Sequence, residues 1–247
     1  MDPVNSASTH SGKVLFMASP MIALPGTMCA PAIFDPLADA LYPDLNVDAF
    51  SWMTQPGPWD IPSVATNVAN HIRRSYDRPV LVAGHSTGGA IALQLTLDAP
   101  ELVQGLVLVG TGAHMRGHGD VSAILERITH GWDERLWADV LDRSFRIAPS
   151  PQQRRDFIDW VRGVDKRAAY DVLASQRDLD LSAELANITI PSGVIIGRHD
   201  PTRTVAQARE FADHFVNATF TVLETGHTPV FEAPEEVAEC IRGLLSE

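Results

Sequence analysis

At 247 residues the chain has the length of one large α/β domain or two small ones, and its 45% hydrophobic content is enough for a sizeable core. Nineteen Lys and Arg against 31 Asp and Glu give a formal charge of −12, which argues against nucleic acid or an anionic membrane surface as the main partner, since both select for basic faces. No apolar run is long enough to cross a bilayer: the longest candidate, Val14 to Leu24, is interrupted at Ser19-Pro20.

The opening MDPVNSASTHSGK has neither the basic nor the apolar region of a signal peptide. Residues 1–12 read as a flexible tail, and a cytoplasmic protein is expected. Its two cysteines, Cys29 and Cys240, are far apart and match no metal or CxxC spacing, so reduced thiols are expected. Short apolar runs follow one another along the chain as candidate strands: Val14–Met17, Met21–Leu24, Val47–Phe50, Val80–Ala83, Leu106–Val109, Val194–Ile196 and Phe220–Leu223. Most lack polar alternation, as strands buried on both faces should. Helical patterns lie between them at Ile33–Leu41, Ser63–Arg74, Gly89–Leu97, Val205–Phe215 and Pro234–Leu245. Strand and helix in alternation predict a mostly parallel sheet flanked by helices.

From about 113 to 186 the alternation stops. Asp120–Thr129, Glu134–Phe145, Pro151–Val161 and Lys166–Arg177 each carry apolar residues at three- and four-residue spacing. Four helices inserted as a cap are therefore expected, with residues 13–112 and 187–247 forming the α/β core around them.

The stretch VLVAGHSTGGAIAL, residues 80–93, interrupts a buried strand with a serine between glycines and then restarts as a helix. One reading is a tight turn; the other is a strained elbow that exposes Ser86 as a nucleophile. A serine hydroxyl needs a base to remove its proton, and that base is usually a histidine oriented by a carboxylate. In an open parallel sheet such groups belong after the carboxyl ends of later strands. The chain supplies Gly197-Arg198-His199-Asp200-Pro201 after one strand and Glu224-Thr225-Gly226-His227-Thr228 after the next. Asp200 could instead cap a helix starting near Thr204. His199 beside Asp200 suggests a metal only weakly without a second spaced motif, and no metal or cofactor is expected.

Gly-His-Ser-Thr-Gly-Gly, Gly-Arg-His-Asp and Thr-Gly-His, with the trailing Pro-Val-Phe-Glu-Ala-Pro-Glu-Glu-Val, resemble the α/β-hydrolase superfamily over nearly the whole chain after the tail. The order Ser86, Asp200, His227 is the order of that fold. The resemblance implies a catalytic triad of these three residues, and Ser at the elbow sets the chain apart from relatives with Asp there, such as dehalogenases and epoxide hydrolases. It also implies an oxyanion hole from backbone N–H groups, one from Thr87 and one from the loop Leu24-Pro25-Gly26-Thr27-Met28. Alignment on Gly26 assigns the second to Thr27, with Met28 as the alternative. Where the family often has His-Gly, this loop has Pro-Gly.

The implied activity is hydrolysis of a carboxylic ester or lactone of a small, largely apolar substrate through an acyl-enzyme. Two alternatives stand beside it. One is a C–C bond hydrolase of the meta-cleavage-product type, or another triad enzyme of this fold, for which Arg116 would be the basic recognition group. The other is a hydrolase-like ligand receptor with slow turnover. Candidate pocket residues are Met28, Trp52, His114, Trp132, Trp137 and Trp160, drawn from the loops after strands and from the cap. The expected partner is a small molecule; oligomeric state is left open.

Overall fold

The computed structural model describes residues 18–118 and 121–246. The expected tail and the expected strand Val14–Met17 lie outside the described residues. In chain order the elements are β1 (Ser19–Leu24), α1 (Asp35–Leu41), β2 (Leu45–Ala49), α2 (Ile61–Ser75), β3 (Val80–His85), α3 (Thr87–Asp98) and β4 (Val103–Val109). Then come α4 (Val121–His130), α5 (Glu134–Ser144), α6 (Pro151–Arg162) and α7 (Lys166–Asp178). The chain closes with β5 (Ser192–Gly197), α8 (Val205–Ala212), β6 (Ala218–Leu223), α9 (Pro229–Glu232) and α10 (Pro234–Leu244).

Among the described residues the strands form one six-stranded sheet in the order β2-β1-β3-β4-β5-β6, and every neighbouring pair is parallel. Strands β3 and β5 are buried at every residue, whereas β2 and β6, at the edges, are mostly half-buried. That gradient explains the sequence: central strands covered on both faces are uninterrupted apolar runs. Edge strand β6 can carry Thr219 and Thr221 between its apolar residues.

The strand order reverses once. From β1 the chain first builds β2 on one side, then returns to place β3 on the other side of β1. A parallel sheet opens a crevice at the carboxyl ends of the strands where that happens, here between the loops that follow β1 and β3. Helix α3, which leaves β3, is buried over most of its surface, and it packs on the sheet, on α2 and on α7. It has almost no polar face for that reason, unlike α2, which ends in Arg73 and Arg74.

The four helices expected between two strands are present between β4 and β5. Helix α4 packs on α7 and α5 on α6, and α7 also reaches α2 and α3. Their starts are capped by side chains: Asp133 accepts from Leu136 N–H, Asp165 from Arg167 N–H, and Ser150 and Gln153 form a reciprocal capping box. An aromatic cluster of Phe145, Phe157 and Phe231, with centroids 5.2 to 6.2 Å apart, joins this insertion to α9 of the core.

Two glycines set opposite limits on side-chain volume. A Cβ at Gly88, in the first turn of α3, would sit 2.0 Å from the Leu24 carbonyl oxygen, while one at Gly243, on the exposed face of α10, would meet nothing within 4 Å. Gly88→Ala is therefore expected to destabilise the fold by about 3 kcal/mol or more, lowering Tm by about 10 °C in a chain of this size. Gly243→Ala should raise stability by about 0.5 kcal/mol through reduced unfolded-state entropy. Thermal unfolding of the two variants checks both signs.

Candidate active site

Because all strands run the same way, the loops after β1, β3, β5 and β6 emerge along one edge of the sheet. Ser86 follows β3 directly, with φ +54° and ψ −122°, a region a non-glycine residue occupies at a cost of about 1–3 kcal/mol. The turn is held by Ser86 N–H donating to Val109 O (2.9 Å) and Gly89 N–H donating to Ser86 O (2.9 Å). It closes because Gly84 and Gly89 also lack side chains: a Cβ at Gly84 would lie 2.4 Å from Gly88 O, and one at Gly89 would lie 2.3 Å from Thr111 Cγ2. The serine remains half-buried at the wall of a cavity.

His227 is brought to the same cavity from the loop after β6. Its Nδ1–H donates to Asp200 Oδ2 at 2.7 Å, which leaves Nε2 as the unprotonated nitrogen. The other carboxylate oxygen, Oδ1, accepts from Thr202 N–H (2.7 Å), Thr202 Oγ1–H (2.7 Å) and Arg203 N–H (3.1 Å). Thr202 Oγ1 is also 3.0 Å from His227 Nδ1. Asp200 does not cap α8. Thr204 does that, in a capping box with Gln207, so the Asp200 carboxylate is free for the histidine. Burial alone would raise the Asp200 pKa. The electrostatic pull of His227 and the hydrogen bonds from His227 and Thr202 outweigh burial and bring it to about 2.

The histidine loop is tied down from three directions. His227 N–H and Thr228 Oγ1–H both donate to Ser144 O at the end of α5 (3.1 Å each). Glu232 accepts from Gly226 N–H and from the N–H groups of Arg146 and Ile147. From below, His85 Nε2–H donates to His227 O at 3.0 Å. His85 is fully buried and does not line the cavity. Desolvation, with a further push from His227, lowers its pKa to about 3, so it is neutral.

The loop after β1 turns through Cys29 N–H donating to Gly26 O (3.1 Å) and places Met28 at φ +59°. Met28 N–H donates to Met53 Sδ at 3.3 Å, which leaves Thr27 as the loop residue with an N–H to offer. Thr87 opens α3, where a first-turn N–H has no partner within the helix. The two threonines are joined by their side chains: Thr27 Oγ1–H donates to Thr87 Oγ1 (2.9 Å), and Thr87 Oγ1–H donates to Gln176 Oε1 of α7 (2.9 Å).

The cavity measures about 420 Å³ and is bounded by Thr27, Met28, Cys29, Ser86, Thr87, Thr202 and His227 of the core, and by Val121, Ile124, Val140, Arg143, Leu173 and Gln176 of the inserted helices. His227, Ser86 on its strained turn, the loop residue Thr27 and the first-turn residue Thr87 thus border one space of substrate size.

A sequence profile of the alpha/beta hydrolase family matches residues 21–240. The chain belongs to that family. It is 27% identical over 180 residues (66% of this chain, 70% of the relative) to a pimeloyl-[acyl-carrier protein] methyl ester esterase of Nitrosomonas europaea. It is 23% identical over 209 residues (78% and 73%) to 3-oxoadipate enol-lactonase 2 of Acinetobacter baylyi. The solved structure of an enol-lactonase from Burkholderia xenovorans superposes with a TM-score of 0.78 at 20% identity, covering 93% of this chain and 92% of that one.

Five of the six residues expected to line the pocket of this family member do not. Met28 does. Trp52 is 1% exposed and sits behind the β1 loop, donating from Nε1 to Pro25 O at 2.8 Å. Trp137 is buried against Trp132, edge to face at 5.6 Å, and Trp160 packs against the core. These tryptophans pack helix against helix and strand-loop against core, where large apolar area is used best. His114 lines a separate cavity of about 340 Å³ with Arg116 and Arg203, and Arg116 is engaged by Asp180. Among the described residues no group of three or more His, Cys, Asp or Glu is placed to hold a metal ion, and His199 bonds Glu224. His118, which the sequence offered beside His114 as a contact for a polar substrate group or an exposed hinge, borders the cavity; Thr202, Arg143, Gln176 and Glu232 escaped the sequence reading. Only Thr202, two residues after Asp200, carried a local signal.

The neutral His85 makes stability depend on pH. It holds no proton in the folded state until about pH 3, whereas in the unfolded chain it takes one up near pH 6.5. The unfolded state therefore binds more protons in between, and stability falls as pH falls, by about 1.4 kcal/mol per unit from this residue. His118, lowered to about 4 mainly by burial, acts in the same direction. The Asp200 contribution is lost only lower, between the ordinary carboxylate range and about pH 2. Denaturant unfolding at pH 7, 6 and 5 should show that decline, and His85→Gln should make it shallower by about 1.4 kcal/mol per unit.

Proposed function

We propose that the chain is a serine hydrolase acting on a carboxylic ester or lactone of a small substrate with a largely apolar body. Ser86 Oγ attacks the carbonyl carbon as His227 Nε2 takes its proton, with Asp200 holding the imidazole and stabilising its charge. The carbonyl oxygen becomes an oxyanion that accepts from the N–H groups of Thr27 and Thr87. Collapse of the tetrahedral adduct breaks the bond to the alkoxide, which leaves with the proton from His227. Water, deprotonated by His227, then attacks the acyl-enzyme and releases the acid and free Ser86. The helices within residues 113–186 serve as a cap whose apolar side chains, Val121, Ile124, Val140 and Leu173, bound the substrate.

The observation that carries this reading is that Ser86, on its positive-φ turn, and His227, bonded to Asp200 at 2.7 Å, face one cavity. The esterase and lactonase names of the relatives support the same bond type. Arg116, the basic residue singled out for C–C bond hydrolysis, lies outside this cavity. None of the described helices is long and apolar enough to cross a membrane, which agrees with a small-molecule substrate reached from water.

Intact-mass labelling with a fluorophosphonate tests the nucleophile. One adduct should form with loss of fluoride, map to Ser86 and be absent from Ser86→Ala. A folded protein that takes no label at Ser86 would sink the reading. An ester and lactone panel then defines the bond cleaved. Thr87→Val should lower kcat by less than the ~10²–10³ expected when an oxyanion donor is lost outright, because the proposed donor is backbone and survives the change. A loss of that full size would instead assign the stabilisation to the Thr87 hydroxyl.

A further inference from the structure

Arg143 is the one side chain of fixed charge among the described residues lining the cavity that holds Ser86 and His227, and no carboxylate lines it. Its position is set by the backbone: the next residue, Ser144, accepts from His227 N–H. The acids beside it on α5 are already engaged by other arginines, Asp139 by Arg127 at 2.6 Å and Asp142 by Arg154 at 2.9 Å. Among the described residues no acidic group reaches Arg143 within ion-pair distance. In a chain of charge −12, this exposed arginine on the wall of the cavity that holds Ser86, with no acidic partner among the described residues, is open to an anionic ligand group.

The neighbouring polar groups suit the same ligand end. Gln176 Oε1 is occupied by the Thr87 hydroxyl, so its NH₂ is the half of the amide left for the cavity. His118, on the same wall, is held neutral and brings no second charge. Between these groups and Ser86 the wall is apolar, with Met28, Ile124 and Leu173. We infer that Arg143 binds a carboxylate carried by the substrate, so that the preferred substrates are monoesters or carboxylate-bearing lactones of small dicarboxylic acids. Arginine presents a planar fork that matches a carboxylate, which an ammonium does not. This rests on the ester and lactone reading above and narrows it to a substrate class.

The test compares monomethyl glutarate with dimethyl glutarate, which differ by one charge. In Ser86→Ala protein, ligand-observed NMR should show the monoester binding about tenfold more tightly, the size expected of a charge-assisted hydrogen bond partly open to water. Adding Arg143→Gln should bring the ratio below about twofold, and Arg143→Lys should retain part of it. Thermal melting of each variant checks folding. Equal or undetectable binding of the two esters, or a preference that persists in Arg143→Gln, overturns the inference. Turnover by the wild-type protein separates it from the parent reading. Charge-selective binding with no hydrolysis of either ester keeps Arg143 as the carboxylate site and removes the hydrolase assignment. Hydrolysis of both at equal kcat/KM does the reverse.

Discussion

The close approach of α3 to the end of β1 is the contact on which the site depends. Gly88 lies so near the Leu24 carbonyl that no side chain fits between them. That contact lets the chain leave β3 in a turn sharp enough to put Ser86 at φ +54°. It also brings the start of α3, with its unsatisfied N–H groups, beside the loop after β1. A bulkier residue would move α3 outward and separate Thr87 from Thr27, whose side chains meet at 2.9 Å. Strain at one residue is thus sustained by packing of its neighbours, in a sheet whose central strands are buried throughout.

The inserted helices do more than enclose space. The carboxyl end of α5 accepts hydrogen bonds from the His227 loop, Glu232 ties that loop to Arg146 and Ile147, and α7 sends Gln176 to Thr87. The two halves of the proposed machinery, base and oxyanion loop, are therefore each anchored to a different inserted helix. Displacement of α5 or α7 would be felt at the reacting atoms through hydrogen bonds of about 3 Å, which tolerate little stretching.

Electrostatically the centre divides into layers. Beneath Ser86 the buried His85 is neutral and acts as a hydrogen-bond donor to the backbone of His227. Behind His227 the Asp200 carboxylate carries the negative charge, surrounded by donors that spread it over both oxygens. On the open side stands Arg143, the positive charge of the cavity wall.

Much of this was legible along the chain. Apolar runs without alternation marked the parallel strands, because double burial acts on each residue locally. The glycine–serine–glycine turn and the two later loops were readable because strand ends in a parallel sheet share an edge, so sequence order alone predicts which residues meet. Asp200 was ambiguous between cap and carboxylate, and only the folded chain, with Thr204 and Gln207 as the capping pair, resolved it. The pocket was least legible. Tryptophans 52, 132, 137 and 160 look alike in sequence whether they face ligand or core, since helical periodicity says that a face is buried but not against what. Arg143 and Gln176 lie on polar positions of amphipathic helices, and nothing local distinguishes a side chain aimed at water from one aimed at a cavity. The orientation of four helices over the sheet decides that, through packing between residues distant in the chain.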